Sequence, residues 1–197
     1  MTLLAVSKTH PAARVEEAKA AGQRAFGENY VQEALEKMER VAGLEWHLIG
    51  PLQSNKTRVV AERFDWVHTV ERVKIANRLS DQRPAHLPPL NILIQVNVSG
   101  EATKSGVPRE ELRGLAQEIG RFPRLRLRGL MAIPAPGIAQ QLTEMQAIYE
   151  AMRAAHGFDT LSMGMSDDLE QAIAAGATLV RVGTAIFGQR SKESRPA

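Results

Sequence analysis

Eight short apolar runs, spaced along the chain and separated by segments of helical period, constrain this sequence more than any other feature. The runs are 3–7, 24–27, 44–49, 66–70, 91–98, 127–132, 160–163 and 179–182. Most are continuously apolar rather than alternating, as expected of strands covered on both faces in a parallel sheet. Between them, Val31, Ala34, Leu35, Met38 and Val41 form one stripe in segment 29–42. Leu112, Leu115, Ala116 and Ile119 form another in 108–120, and Leu142, Met145, Tyr149 and Met152 a third in 139–155. Such i, i+3, i+4, i+7 spacing gives each helix one face to pack on a sheet. Residues 11–21, opened by Pro11 and followed by Gly22, read as a further helix, as do 54–63, 71–82 and 167–175. Eight strands alternating with helices predict a single α/β domain over 1–197, a closed (β/α)8 barrel of the TIM type. An open doubly wound sheet is the alternative, and no G-x-G-x-x-G follows the first strand to favour it.

Composition narrows the function classes. The sequence has no cysteine, which excludes disulfides and thiolate chemistry and fits a reducing cytoplasm. It opens with no basic segment ahead of an apolar one, and no apolar stretch approaches bilayer length, so a soluble protein that avoids membranes is expected. The net charge of +3 arises from 25 basic and 22 acidic residues that are interleaved. The one basic cluster, 121–128, lacks a pair of interleaved aromatics for base stacking, so nucleic acid is not an expected partner.

In a barrel of this kind, chemistry gathers where the strands end. The first strand ends in Lys8, which shares a strand face with Leu4 and Val6. Partial desolvation there would lower the amine's pKa and free it for attack on a carbonyl, although a lysine snorkelling to solvent would use the same position. The eighth strand runs through Arg181 into Gly183 and Thr184, where a short helix begins. A glycine and a hydroxyl at a helix start suit a phosphate. After strand seven, Ser166 is either a phosphate ligand or the N-cap of the next helix, followed by Asp167 and Asp168. In a closed barrel the lysine and the cradle are neighbours, an arrangement that suits an aldehyde carrying a phosphate. His47, between Trp46 and Leu48, is either a base or a hydrogen-bonded core residue.

The sequence resembles the pyridoxal-phosphate homeostasis protein family, relatives of the barrel domain of alanine racemase. The resemblance spans essentially the whole chain. It is carried in order by 3–9 (LLAVSKT), 26–33 (FGENYVQE), 46–50 (WHLIG), 52–56 (LQSNK), 95–98 (QVNV), 104–106 (KSG), 129–134 (GLMAIP), 162–166 (SMGMS) and 180–188 (VRVGTAIFG). It implies an alanine racemase-like barrel that holds pyridoxal 5′-phosphate (PLP) as a Schiff base on Lys8. By the same resemblance Ser166, Gly183 and Thr184 bind the phosphate, Arg181 faces the pyridine nitrogen and Asn29 lies beside the cofactor. A fixed positive charge opposite the ring nitrogen disfavours its protonation and makes the ring a poorer electron sink. Family members usually carry a helix ahead of the first strand, which would cover the outer wall, whereas this sequence opens inside that strand.

Three functions compete at this stage. The resemblance implies a carrier that buffers or delivers PLP in vitamin B6 homeostasis without turnover. A PLP-dependent amino-acid racemase or other Schiff-base enzyme is the alternative, and a plain phosphate-ligand binder is the third. Racemase chemistry of the alanine type needs a second acid/base, a tyrosine from an additional β domain, whereas Tyr30 and Tyr149 are the two tyrosines here and both are predicted on helices. Expected partners are PLP and apo forms of enzymes that use it, with the chain a monomer. No metal site is expected, and the tail 189–197 is polar and expected to be loose.

Overall fold

A computed structural model describes residues 1–189 apart from 102, 136 and 138. The predicted loose tail therefore falls, beyond Gln189, outside the described residues. The strands are β1 (Thr2–Val6), β2 (Ala25–Glu28), β3 (Glu45–Leu48), β4 (Trp66–Val70), β5 (Leu90–Gln95), β6 (Leu125–Met131), β7 (Thr160–Ser162) and β8 (Leu179–Val182). All neighbours pair in parallel, and β1 closes on β8 with Thr2 opposite Leu179 and Ala5 opposite Val182. The closed barrel is thus the architecture, and the open sheet is excluded.

The helices are α1 (Ala12–Ala20), α2 (Val31–Arg40), α3 (Thr57–Arg63), α4 (Val73–Gln82), α5 (Arg109–Ile119), α6 (Ala139–His156), α7 (Leu169–Ala174) and α8 (Thr184–Phe187). Strand alternation sorts the side chains into two cores. Ala5, Phe26, Leu48, Val67 and Val180 point outward and pack with the helices in one large cluster. Leu4, Ala25 and Leu179 fill the barrel interior near one end, and Trp66, Leu93 and Met131 form a second inner group. The stripes of α5 and α6 are buried as their spacing requires. Among the described residues, no helix is long and apolar enough to cross a membrane.

Four local expectations change. The fifth strand ends at Gln95 instead of running to Val98: Val96 still donates to the Met131 carbonyl of β6 but also bridges Val107 of the following loop. The Asn97 side chain then gathers the loop, accepting from the Gly100 N–H and donating to the Glu101 carbonyl. Segment 54–63 opens with a 3-10 turn over Ser54–Lys56 before α3. Tyr30 is the N-cap residue of α2 rather than a helical residue, and is 56% exposed. In α2 the buried positions are Ala34 and Lys37, so a lysine outside the predicted stripe is packed while Val31 and Met38 of that stripe are only partly buried.

Candidate functional site

A cavity of about 530 Å³ opens at the C-terminal ends of the strands, where the loops of such barrels carry function. It is lined by Lys8 after β1, Asn29 after β2, Met165, Ser166 and Asp167 after β7, Arg181 on β8, and Gly183 and Thr184 after β8. All six residues singled out in the sequence are therefore brought to one cavity. Val6, Ile49 and Ile133 supply apolar wall. Ile133 and Met165 are 45% and 38% exposed, which places two of the few exposed large apolar side chains at this mouth.

Each polar wall residue has a local cause. Lys8 follows Leu4 and Val6 on the inward face of β1, and Val6 and Lys8 both line the cavity. Asn29 is drawn in by the close passage of the β3–α3 loop. A Cβ at Gly50 would lie 2.1 Å from the Asn29 carbonyl oxygen, so only glycine lets these backbones meet. Gly183 is the N-cap position of α8, and the carbonyl of Gly183 accepts from the N–H groups of Ile186 and Phe187. A Cβ at Gly183 would lie 3.2 Å from the Val6 carbonyl oxygen. The glycine thus serves the packing of β8 against β1 as well as the cavity, and a bulky side chain there would disturb β1, which ends at Val6 rather than at Lys8 and leads into the turn that carries Lys8.

Ser166 is not the N-cap of α7. That position belongs to Asp168, whose Oδ1 instead accepts from the Met165 N–H at 2.6 Å. The Asp168 carboxylate is thereby tied to its own loop, leaving the Ser166 side chain at the cavity wall; Asp167 stands exposed in water at the rim.

Arg181 is 4% exposed and its guanidinium spans the inner end of the cavity. It donates to the Ser162 carbonyl (2.9 Å), the Ser162 Oγ (2.8 Å) and the Ala132 carbonyl (2.9 Å). Burial lowers its pKa to about 10 while Asp168 pulls the other way, so it remains a cation at neutral pH. From Ser162 Oγ a chain continues down the barrel axis: to His68 Nδ1 (3.1 Å), from His68 Nε2 to His47 Nδ1 (2.9 Å), and from His47 Nε2 to Glu45 Oε1 (2.8 Å). Arginine can only donate and an ionised carboxylate can only accept. Those two ends polarise the chain and make both histidines Nε2–H tautomers. Burial holds both imidazoles below the ordinary histidine range, so they are neutral at pH 7. His47 is therefore the hydrogen-bonded core residue and not a base facing the cavity.

Sequence reasoning missed His68 and Ser162 in this chain, although inward polar residues on buried strands are a signal. It also missed a second cluster behind Lys8. Glu28 and Ser7 point outward from β2 and β1 into the helix layer, where Lys37 of α2 meets them. Burial pushes the Glu28 carboxyl up to about 7, although Lys37 and Ser7 pull it down. Among the described residues, no group of histidine and carboxylate side chains could hold a metal ion.

The family model described as the alanine racemase N-terminal domain matches residues 1–191. The pyridoxal phosphate homeostasis protein of Escherichia coli K12 is 58% identical over 201 residues, covering 96% of this chain and 86% of that protein. The protein of the same name from Pseudomonas aeruginosa is 62% identical over 193 residues, covering 95% and 84%. Among solved structures, PipY of Synechococcus elongatus with PLP bound superposes with a TM-score of 0.87 at 37% identity, covering 95% of this chain and 92% of PipY. Alanine racemase of Corynebacterium glutamicum, at 18% identity and TM-score 0.77, shares the fold; the match covers 99% of this chain and 57% of the racemase.

Proposed function

The chain belongs to the alanine racemase N-terminal domain family and, within it, to the pyridoxal phosphate homeostasis proteins, and from that premise we propose that its barrel mouth binds PLP to buffer or deliver the cofactor. The role is one in vitamin B6 homeostasis in the cytoplasm, with the protein a monomer and apo PLP-dependent enzymes the recipients. The observation that carries the reading is the convergence of Lys8, Asn29, Ser166, Arg181, Gly183 and Thr184 on one cavity with an apolar wall.

The residues fit the group. When bound, PLP supplies an aldehyde that Lys8 can hold as a Schiff base, and a pyridine ring that can take up electrons. Lys8 provides the amine from the inward face of β1. Gly183 leaves room for an anion to approach the start of α8, where the first N–H groups of a helix have no intrahelical acceptor. The Thr184 and Ser166 hydroxyls stand beside that approach as donors. Arg181 would offer N–H groups and positive charge toward the ring; a guanidinium that keeps its own proton, with a pKa of about 10, disfavours protonation of a base beside it. Val6 and Ile49, with Ile133 and Met165 at the mouth, would give the ring an apolar wall.

A conservative change tests the phosphate assignment. Thr184→Val removes one hydroxyl from an exposed position, so the fold should be untouched. Binding of PLP should weaken roughly tenfold, the scale of one hydrogen bond to a charged group, while binding of unphosphorylated pyridoxal should not change. Equal loss for both ligands would put the phosphate elsewhere. The same comparison at Gly183 is less clean, because a side chain there also meets Val6.

Carrier and enzyme are separated by amino-acid α-proton exchange in deuterated water. Little exchange is expected beyond that of free PLP. Tyr149 is buried in α6 and Tyr30 caps α2 in solvent, so among the described residues no tyrosine lines the cavity across from Lys8. Rapid exchange with one amino acid, lost in Lys8→Ala, would make the protein an enzyme. Transfer of bound PLP to an apo-enzyme in solution is the positive counterpart.

A further inference from the structure

The chain around Lys8 is a tight turn held from outside the barrel. The Ser7 carbonyl accepts from the His10 N–H at 3.0 Å, which makes Ser7–Lys8–Thr9–His10 a β-turn with Lys8 and Thr9 at its centre. Thr9 has a φ of 67°, and no other described non-glycine residue has a positive φ. A positive φ at the third position is the mark of a type II turn, a place that glycine fills without cost. A β-branched residue is strained there, and the Thr9 Oγ1 is also buried with no hydrogen-bond partner. The strained conformation must be imposed by its surroundings.

Those surroundings are two side chains of α2. Glu33 Oε1 accepts from the Thr9 N–H at 2.5 Å, which fixes the Lys8–Thr9 peptide. Lys37 Nζ donates to the Ser7 carbonyl at 2.7 Å, which fixes the Ser7–Lys8 peptide. The two are joined to each other at 2.8 Å across one helical turn, with the glutamate on the N-terminal side as such pairs prefer. Lys37 spends its third hydrogen on Glu28 Oε1 at 2.6 Å, the oxygen that also accepts from the Ser7 hydroxyl. Both peptide planes of Lys8 are therefore gripped by the same pair, while its side chain is left on the cavity side.

We propose that Glu33 and Lys37 are positioning residues for Lys8: they hold the strained turn at the end of β1 and thereby aim the amine into the cavity. The inference rests on the PLP reading for its purpose, but the clamp itself is a property of the protein without ligand. Neither residue touches the cavity, so each acts only through the backbone of residues 7–9.

The test uses the full chain and two aldehydes. Glu33→Ala removes a partly exposed side chain and should leave the thermal midpoint near that of the parent. It should raise hydrogen exchange of the Thr9 amide, and slow capture of Lys8 by both PLP and formaldehyde, trapped with cyanoborohydride, by roughly tenfold, since small misplacement of a reacting group is costly. Adding Thr9→Gly, which holds the turn without strain, should restore capture in the double variant. Because Lys37→Met alone would leave the buried Glu28 without its cation, the paired change Glu28→Gln/Lys37→Met is the second variant, with the same slowing expected. Parent-like capture and amide exchange in Glu33→Ala would overturn the clamp, as would slowed capture that Thr9→Gly does not restore. If PLP fails to react in the parent while formaldehyde does, the PLP reading fails, and the formaldehyde rates still judge the clamp.

Discussion

Lys8→Ala should abolish the borohydride-stable pyridoxyl adduct completely while leaving weaker binding that still depends on the phosphate. The amine and the proposed anion cradle come from opposite ends of the chain and meet only because β1 closes on β8, so one can be lost without the other. Mass spectrometry of the reduced parent should place the adduct on Lys8. Other lysines have reasons to be silent. Lys37 is buried with all three hydrogens donated. Lys104 is paired with Glu101 at 2.6 Å and lines a different cavity beside the β5–α5 loop, and Lys56 sits on the 3-10 turn before α3. An adduct found mainly on Lys56 or Lys104 would overturn the assignment. Retention of a reducible adduct in Lys8→Ala at the parent's level would do the same.

The barrel was legible because its signal is redundant. Eight apolar runs and the stripes between them each carry the same message, and an error of three residues at an end, as at Gln95, leaves the topology intact. The cavity residues were legible for a related reason: in a parallel barrel the ends of strands are the working face, so Lys8, Ser166, Arg181 and the Gly183–Thr184 step stand out as polar residues at ends of apolar runs. What the sequence hid were residues whose role depends on tertiary partners. Lys37 lies at a helical position that would ordinarily be solvated, and only Ser7, Glu28 and Glu33 around it explain why a lysine can be buried there. Ser166 and Asp168 are both caps by residue type, and the backbone decides between them, because the Ala172 N–H of α7 donates to the Asp168 carbonyl. His68 sits in an apolar strand, where its neighbours across the barrel, His47 and Ser162, come from residues far away in sequence.

Arg181 serves the barrel interior and the cavity together, and its replacement should be felt in two independent measurements. In Arg181→Met the Ala132 carbonyl loses the donor it has inside the barrel, and Ser162 loses two. A buried acceptor left unpaired costs about 1–3 kcal/mol. Removing a desolvated cation returns part of that, since burial already works against the charge. The expected net loss is about 2–4 kcal/mol, or roughly 5–15 °C in the thermal midpoint for a chain of this size. The loss should be present without ligand. The loaded protein gives the second measurement. With the fixed cation gone, the pyridine nitrogen should gain a proton more readily, which the shift of a 15N-labelled ring reports. The histidines should answer in the same variant: once Arg181 no longer donates to Ser162 Oγ, that hydroxyl is free to turn, and the Nε2–H pattern fixed by the two ends of the chain loses its donor end. Arg181→Lys should fall between, keeping the charge but not the fork that reaches Ser162 and Ala132 together. A methionine variant as stable as the parent, with the ring nitrogen equally unprotonated, would remove Arg181 from both roles.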